Sequence, residues 1–272
     1  MYLTASLVLY HNNPDQFGAA IQSFLNGCDG FLTVVDNSSS PIPHRLFSHS
    51  RVRYVHSGKN LGFGRGHNLA ISLIQEASDV HLFLNPDVIF AADVLPGLLG
   101  YLQENSSVGA LMPRVNYPDG TLQYLCKLLP TPFDLFLRRF IPLDGLTGFV
   151  NRRYELHGLR QDKPSTVPVL SGCFLLVRYD LLKALKGFDE RYFMYMEDVD
   201  LVRRVGDKAQ TVYFPAFQVT HHYARGSYRS VKLLGYHVRS AVQYFYKWGW
   251  FFDRTRKTRN RDALLAVLNE RE

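Results

Sequence analysis

At 272 residues, 46% hydrophobic and 14% aromatic, the chain has enough apolar content to bury a substantial core, which argues against a disordered or merely solvating protein. A formal charge of +7 points to an anionic partner: nucleic acid, phospholipid or a phosphorylated small molecule. Three cysteines, Cys28, Cys126 and Cys173, are odd in number and form no C-x-x-C pair, which argues against a disulfide framework or a structural zinc site and fits a reducing cytosol.

In chain order, Leu3 to Tyr10 predicts a strand, without the basic leader or small-residue cleavage site of a signal peptide, and runs into the turn-like His11-Asn12-Asn13-Pro14-Asp15. Pro14 opens a helix to Leu25 whose Phe17, Ile21, Phe24 and Leu25 share one face. Phe31 to Asp36, Val52 to Val55 and Val80 to Leu84 predict further strands, with a turn and helix over Gly62 to Gln75. This alternation predicts an α/β nucleotide-binding fold, a mainly parallel central sheet flanked by helices. Ligands of such sheets bind at the strands' C-terminal ends, the rim that here carries Asp36, Asn37, Asn85 and Asp87.

Val108 to Pro113 predicts a strand and Asn116-Tyr117-Pro118-Asp119-Gly120 a hairpin turn. Residues 130 to 165 mix proline, Phe133, Phe136 and Phe140 with Arg138 and Arg139, a composition that a flap, an acceptor-binding insert and a membrane-touching segment share. Val167 to Val177 predicts a strand, Met194 to Arg204 a turn feeding a helix, and Gln210 to Val219 a strand. No stretch reaches the roughly 18 to 20 apolar residues of a spanning helix.

Four clusters carry possible chemistry. In Gly58-Lys59-Asn60-Leu61-Gly62-Phe63-Gly64-Arg65-Gly66-His67-Asn68, glycines admit close backbone approach, and a helix N-terminus with Lys59 and Arg65 offers donors to a diphosphate; a plain glycine turn has the same look. Asp87 in Asn85-Pro86-Asp87 is placed either to hold a divalent metal or to form an Asx turn. In Met196-Glu197-Asp198-Val199-Asp200 the acids suit a helix's first turn, but the apolar run Tyr192 to Met196 walls them in, and like-charge crowding favours a usable base. Asp198 is preferred and Glu197 second, since neighbours on a helix point about 100° apart. One of His221 and His222, at a strand end, suits a second metal ligand.

These pieces resemble the family 2 inverting glycosyltransferases of GT-A fold, and within them bacterial rhamnosyltransferases of O-antigen and related polysaccharide assembly. The resemblance runs in order over roughly residues 3 to 230, through Tyr10-His11-Asn12, Val35-Asp36-Asn37-Ser38, Asn60-Leu61-Gly62-Phe63-Gly64, Asn85-Pro86-Asp87, Ser171-Gly172-Cys173, Gly187-Phe188-Asp189, Tyr195 to Leu201 and His221. It implies donor binding by Tyr10, Asp36, Asn37, Asn60, Gly62, Phe63, Gly64, Arg65, Asn68, Asn85 and Asp87. It implies Mg²⁺ or Mn²⁺ on Asp87 and His221, Asp198 or Glu197 as general base, and an acceptor beside Ser171, Gly172 and Glu197. The implied donor is dTDP-L-rhamnose, with another hexose, deoxyhexose or galactofuranose donor as the alternative, and the implied acceptor is a polyprenyl-diphosphate-linked or other lipid-linked glycan. One departure stands out: Asn85 occupies a position where the wider family commonly has an acid, so charge for a metal rests on Asp87, His221 and the diphosphate.

From Val231 the composition turns helical, aromatic and basic, which sets a boundary between a catalytic domain (1–230) and a C-terminal extension (231–272). Lys232, Arg239, Lys247, Arg254, Arg256, Lys257 and Arg259 interleaved with Leu233, Leu234, Tyr236, Val242, Tyr244, Phe245, Trp248, Trp250, Phe251 and Phe252 fit two compatible arrangements, an anionic membrane surface or a helical hairpin packed on the catalytic domain. The first implies a cytoplasmic enzyme peripheral to the inner membrane. Nucleic acid is not the expected partner, because Asp87, Glu197, Asp198 and Asp200 would repel phosphate and no nucleic-acid motif is present.

Overall fold

The computed structural model describes residues 1–137, 144–222 and 231–269, so Arg138, Arg139, Phe140 and the 230/231 boundary lie outside the described residues, as does the Phe136 side chain. The first half follows the expected alternation: β1 (Leu3–Leu9), α1 (Pro14–Gly27), β2 (Phe31–Asp36), β3 (Val52–His56), α2 (Phe63–Ser72) and β4 (Val80–Leu84). Pro14 occupies the first helical turn, where its missing N–H costs nothing, and the Asn13 side chain accepts from the Asp15 N–H. β5 (Val88–Phe90), α3 (Val94–Glu104), β6 (Val108–Asn116), α4 (Asp144–Tyr154), β7 (Ser165–Thr166), β8 (Phe174–Arg178), α5 (Tyr179–Ala184), α6 (Glu197–Gly206), β9 (Gln210–His221), α7 (Val231–Trp248) and α8 (Arg254–Asn269) complete the described chain.

One sheet runs in the order β3-β2-β1-β4-β8-β6-β9-β5, with β7 on β9. β1 to β4 are mutually parallel, and nearly every β1 and β4 residue is buried, as expected of central strands covered on both faces. The core lies on these faces, with Leu7, Leu9, Phe17, Phe24, Leu82, Phe83 and Leu95 fully buried. β8 enters antiparallel between β4 and β6, so the sheet is parallel in its N-terminal half and mixed beyond it. Pairing of Leu84 with Phe174 puts the start of β8 beside the end of β4, on the ligand-binding rim.

Of the expected strand over Val167 to Val177 only β8, from Phe174, forms; before it Val169 makes a single bridge to Lys127. The chain turns at Ser171-Gly172-Cys173, where Gly172 lies so close to Asp198 and Phe63 that a Cβ there would sit 3.2 Å and 3.4 Å from their atoms. β9 runs past Val219 to His221, which faces Val88 of β5. α3 is a helix beyond those expected from the sequence, and its Val94, Leu95, Leu98 and Leu102 form a buried stripe.

α7 and α8 pack on the catalytic domain. Leu129, Val169, Tyr192, Met196 and Val199 form a second core with Ala241, Tyr244 and Phe245. Arg203 of α6 makes a bidentate bond to Asp253 (2.7 and 2.9 Å), both side chains being 3% exposed. The Trp248 indole N–H donates to Asp200 at 2.7 Å. Most tail aromatics therefore belong to the packed arrangement, and Phe251 and Phe252 do not. Among the described residues no helix is long and apolar enough to cross a membrane.

Candidate active site

The turn Ser171-Gly172-Cys173 joins two halves of a site. On one side the Gly172 N–H donates to Asp198 Oδ2 (3.1 Å), while the Val199 N–H at the start of α6 holds Oδ1 (2.8 Å). On the other, the Cys173 carbonyl accepts from the Asn85 N–H (2.8 Å), beside Asn85-Pro86-Asp87. Tyr195 and Met196 both adopt left-handed backbone (φ 69° and 68°), a strained entry that presents the first turn of α6 to this rim.

The three acids of that turn have separate environments. Asp198 is half-buried at the rim. Glu197 is 5% exposed, and burial first, then the charge of Asp198, pushes its carboxyl up to about 8; its Oε2 takes no hydrogen bond among the described residues. Asp200 is fully buried and engaged by Arg204, Lys247 and Trp248, which makes it an anchor for the tail.

Asp87 Oδ1, which takes no hydrogen bond among the described residues, lies 3.2 Å from His221 Nε2. Gln123 sets the imidazole: its Nε2 donates to the carbonyls of His221 (2.8 Å) and Asn116 (3.3 Å), which leaves its Oε1 to accept from His221 Nδ1–H (3.0 Å) and turns Nε2 towards Asp87. Burial acts to lower the His221 pKa, but the Cys173 sulfur and Asp87 outweigh it and raise it to about 10. His222 is exposed and contributes a backbone N–H to the Asp87 carbonyl, so His221 is the one of the pair that faces the rim. Among the described residues no group of three or more His, Cys, Asp or Glu converges. Together a carboxylate oxygen and an oriented imidazole nitrogen fit a divalent ion that displaces the proton shared between them.

The glycine loop packs against the base segment. Gly62 (φ 83°) approaches the Phe193 carbonyl so closely that a Cβ would lie 2.1 Å from that oxygen, which accepts from the Phe63 N–H (3.1 Å). A Cβ on Gly64 would be 3.0 Å from Phe188 and 3.7 Å from Glu197. Asn60 caps the loop through the Gly62 N–H (2.9 Å). Asn68 holds both the N–H and the carbonyl of Phe188 (2.9 Å each), and Arg65 donates to the Glu190 carbonyl (3.0 Å). These contacts tie the loop to residues 188–193 and position the site.

Asp36 is fully buried and accepts from the Ser38 N–H (2.9 Å), the Ile42 N–H (3.0 Å) and the Tyr54 hydroxyl (2.6 Å). Burial alone would raise its pKa, and these bonds lower it instead. Asn37 links the Gly62 carbonyl (3.0 Å) to Ser57 (3.0 Å). Both residues shape the rim from beneath, while Tyr10, 49% exposed at the end of β1, lies on it. Gln123 had no sequence signal, since it reaches His221 across 98 positions; Phe188 and Phe193, which lie in segments the sequence marks, act through ring packing and a backbone carbonyl.

The family model described as "Glycosyl transferase family 2" matches residues 7–186. An N-acetylglucosaminyl-diphospho-decaprenol L-rhamnosyltransferase of Mycobacterium tuberculosis is 35% identical over 195 residues, 65% of this chain and 61% of that protein. Rhamnosyltransferase WbbL of Escherichia coli is 26% identical over 279 residues, 97% of this chain and 98% of that protein. The chain thus spans less than two thirds of the mycobacterial relative and nearly all of the other. Among solved structures, GalNAc-T7 with UDP, GalNAc and Mn²⁺ superposes with a TM-score of 0.58 at 10% identity, over 82% of this chain and 43% of that one, a likeness of fold. The architecture is the GT-A glycosyltransferase fold, and the chain belongs to glycosyl transferase family 2.

Proposed function

We propose that the protein is an inverting transferase that moves L-rhamnose from dTDP-L-rhamnose to a hydroxyl of a lipid-linked cell-surface glycan. One observation carries the reading: the Ser171-Gly172-Cys173 turn bonds to Asp198 on one side and to the Asn85-Pro86-Asp87 strand end on the other, so a base and a pair suited to a divalent cation share one rim. Asp198, half-exposed and fixed by two backbone N–H groups, takes the acceptor hydroxyl proton while that oxygen attacks the anomeric carbon from the face opposite the leaving diphosphate. A single displacement inverts the centre. Glu197, buried and protonated at neutral pH, is the weaker candidate for base and supports the wall beneath Gly64.

Asp87 and His221 would hold Mg²⁺ or Mn²⁺, which supplies Lewis-acid charge to the departing nucleoside diphosphate. Tyr10 offers an exposed ring to the base, Asp36 and Asn37 hold the loop that cradles it, and the α2 N-terminus directs N–H groups towards the diphosphate. Ser171 and Gly172 border the acceptor in this reading, with Gly172 packed on Asp198 and Phe63. The names of the two rhamnosyltransferase relatives favour this donor and, for the mycobacterial one, a polyprenyl-diphosphate acceptor. Residues 1–230 form the catalytic unit in this reading, and 231–272 bring it to the cytoplasmic face of an anionic membrane.

The test is donor turnover by purified protein with a panel of dTDP-, UDP- and GDP-sugars, with and without divalent metal. Turnover selective for dTDP-L-rhamnose, dependent on metal and lost in Asp87→Ala, is expected. Selective turnover of another donor would replace rhamnose, and metal-independent turnover in Asp87→Ala would remove the metal from the account.

A further inference from the structure

We propose that the loop between α7 and α8 is a preformed wedge that inserts Phe251 and Phe252 into the interface of an anionic phospholipid bilayer, a refinement that rests on the membrane-surface part of the reading above. Phe251 is 77% exposed and Phe252 99%, with Tyr246 close in sequence at 78%. Adjacent phenylalanines so open to water are unusual on a chain whose other large aromatics are mostly packed, and contiguous exposed apolar surface marks an interaction site.

The exposure belongs to a braced loop. Gly249 turns the chain at φ 95°. Arg256, itself 5% exposed, reaches back to the carbonyl oxygens of Gly249 (3.3 Å), Trp250 (2.9 Å) and Phe251 (3.4 Å), and also to that of Pro130 (3.2 Å). On the far shoulder Asp253 is bonded to Arg203. Buried charged groups thus hold both shoulders while the two rings project, so little conformational entropy remains to be lost on insertion.

Charge selects the occupant. Arg254 and Lys257, one turn apart at the start of α8, are exposed beside the tip, and Arg239 shares an exposed stripe of α7 with Tyr246 two turns on. Aromatic rings at headgroup depth flanked by cations match an anionic bilayer. A second copy of this chain would bring the same cations against them, on a protein already at +7. The loop is also bonded to the catalytic helix, through Arg203–Asp253 and Trp248–Asp200. Insertion would therefore hold α6 near the headgroups, where the diphosphate of a lipid-linked acceptor lies.

The experiment is co-sedimentation of the full chain with vesicles of phosphatidylcholine alone or of equimolar phosphatidylcholine and phosphatidylglycerol, without donor or acceptor. Wild type should bind the anionic vesicles and not the neutral ones. The Phe251→Ser/Phe252→Ser variant should lower the partition coefficient at least roughly tenfold, and Arg254→Gln/Lys257→Gln roughly 30-fold. In a Phe252→Trp variant, the emission in excess of wild type, which carries Trp248 and Trp250, should shift to the blue and be quenched by brominated lipid. Unfolding transitions matching wild type keep these readings clear of misfolding. Equal binding by wild type and the double serine variant, or no quenching at position 252, would overturn the wedge. So would a solution dimer that the serine variant dissociates, which would assign the tip to a second copy. None of these outcomes depends on sugar transfer, so failure of the wedge and failure of the transferase reading are separable.

Discussion

Removing the Asp253 carboxylate should cost more than any surface substitution in the tail. Arg203 and Asp253 are each 3% exposed and joined by two bonds of 2.7 and 2.9 Å. In Asp253→Ala the guanidinium stays buried on α6, left with the Tyr244 hydroxyl (3.1 Å) and the face of Trp248 (4.1 Å) of α7. Leaving one member of a buried pair behind costs about 3–5 kcal/mol, which for a chain of this size lowers Tm by roughly 6–20 °C. The pH dependence has a definite sign. Burial would raise the Asp253 pKa, but Arg203 holds it below the ordinary 3.8. A depressed carboxylate stabilises above its unfolded value and loses that contribution as pH falls through the folded one, so the gap between wild type and variant should be flat from pH 5 to 8 and close below about 4. Urea unfolding followed by circular dichroism and tryptophan fluorescence reads both. A gap under about 1 kcal/mol, as for a solvated pair, or one that persists at low pH, would refute the docking of the tail on α6.

Glu197→Gln should leave stability unchanged at pH 5 and raise it at pH 8.5. With the folded carboxyl at about 8 against an ordinary 4.5, the folded state holds a proton that the unfolded chain has released, so wild-type stability falls as pH rises through that window. Melting curves at the two pH values check it, and a variant less stable than wild type at pH 8.5 contradicts it. Gly62→Ala should destabilise by at least about 1–3 kcal/mol, because its Cβ would meet the Phe193 carbonyl at 2.1 Å in a backbone conformation suited to glycine. Urea unfolding measures the loss, and nucleotide titration of the folded fraction should show weaker binding.

The N-terminal fold was legible because its signals are local. Pro14 at a helix start and the apolar runs Phe31–Asp36 and Val80–Leu84 are set by neighbours, and both strands have the expected bounds. β8 was harder, since only the fold places it antiparallel against β4 and breaks the apolar run at Gly172. At the site, acidic residues in a helix's first turn and at a strand end could be singled out by chemistry. Their sorting could not be read: Asp200 is claimed by Lys247 and Trp248, and Gln123 orients His221, through contacts between residues 47 to 98 positions apart. On sequence the glycine loop suits a phosphate cradle and a plain turn alike, and the packing of Gly62 and Gly64 against Phe193 and Phe188 adds a structural reason for those residues. Arg65 and Asn68 likewise spend hydrogen bonds on residues 188–190.

The most direct test of the central claim is transfer to a lipid-linked acceptor by wild type and Asp198→Asn, with donor affinity measured on the same preparations. Loss of a general base predicts a rate about 10²–10⁴-fold lower. Donor affinity should stay within about a factor of two, since the account assigns Asp198 to the acceptor hydroxyl and the variant's amide oxygen still accepts from the Val199 N–H, at the loss of the Gly172 N–H bond. Transfer by Asp198→Asn within tenfold of wild type would contradict the account and move the base elsewhere on the rim.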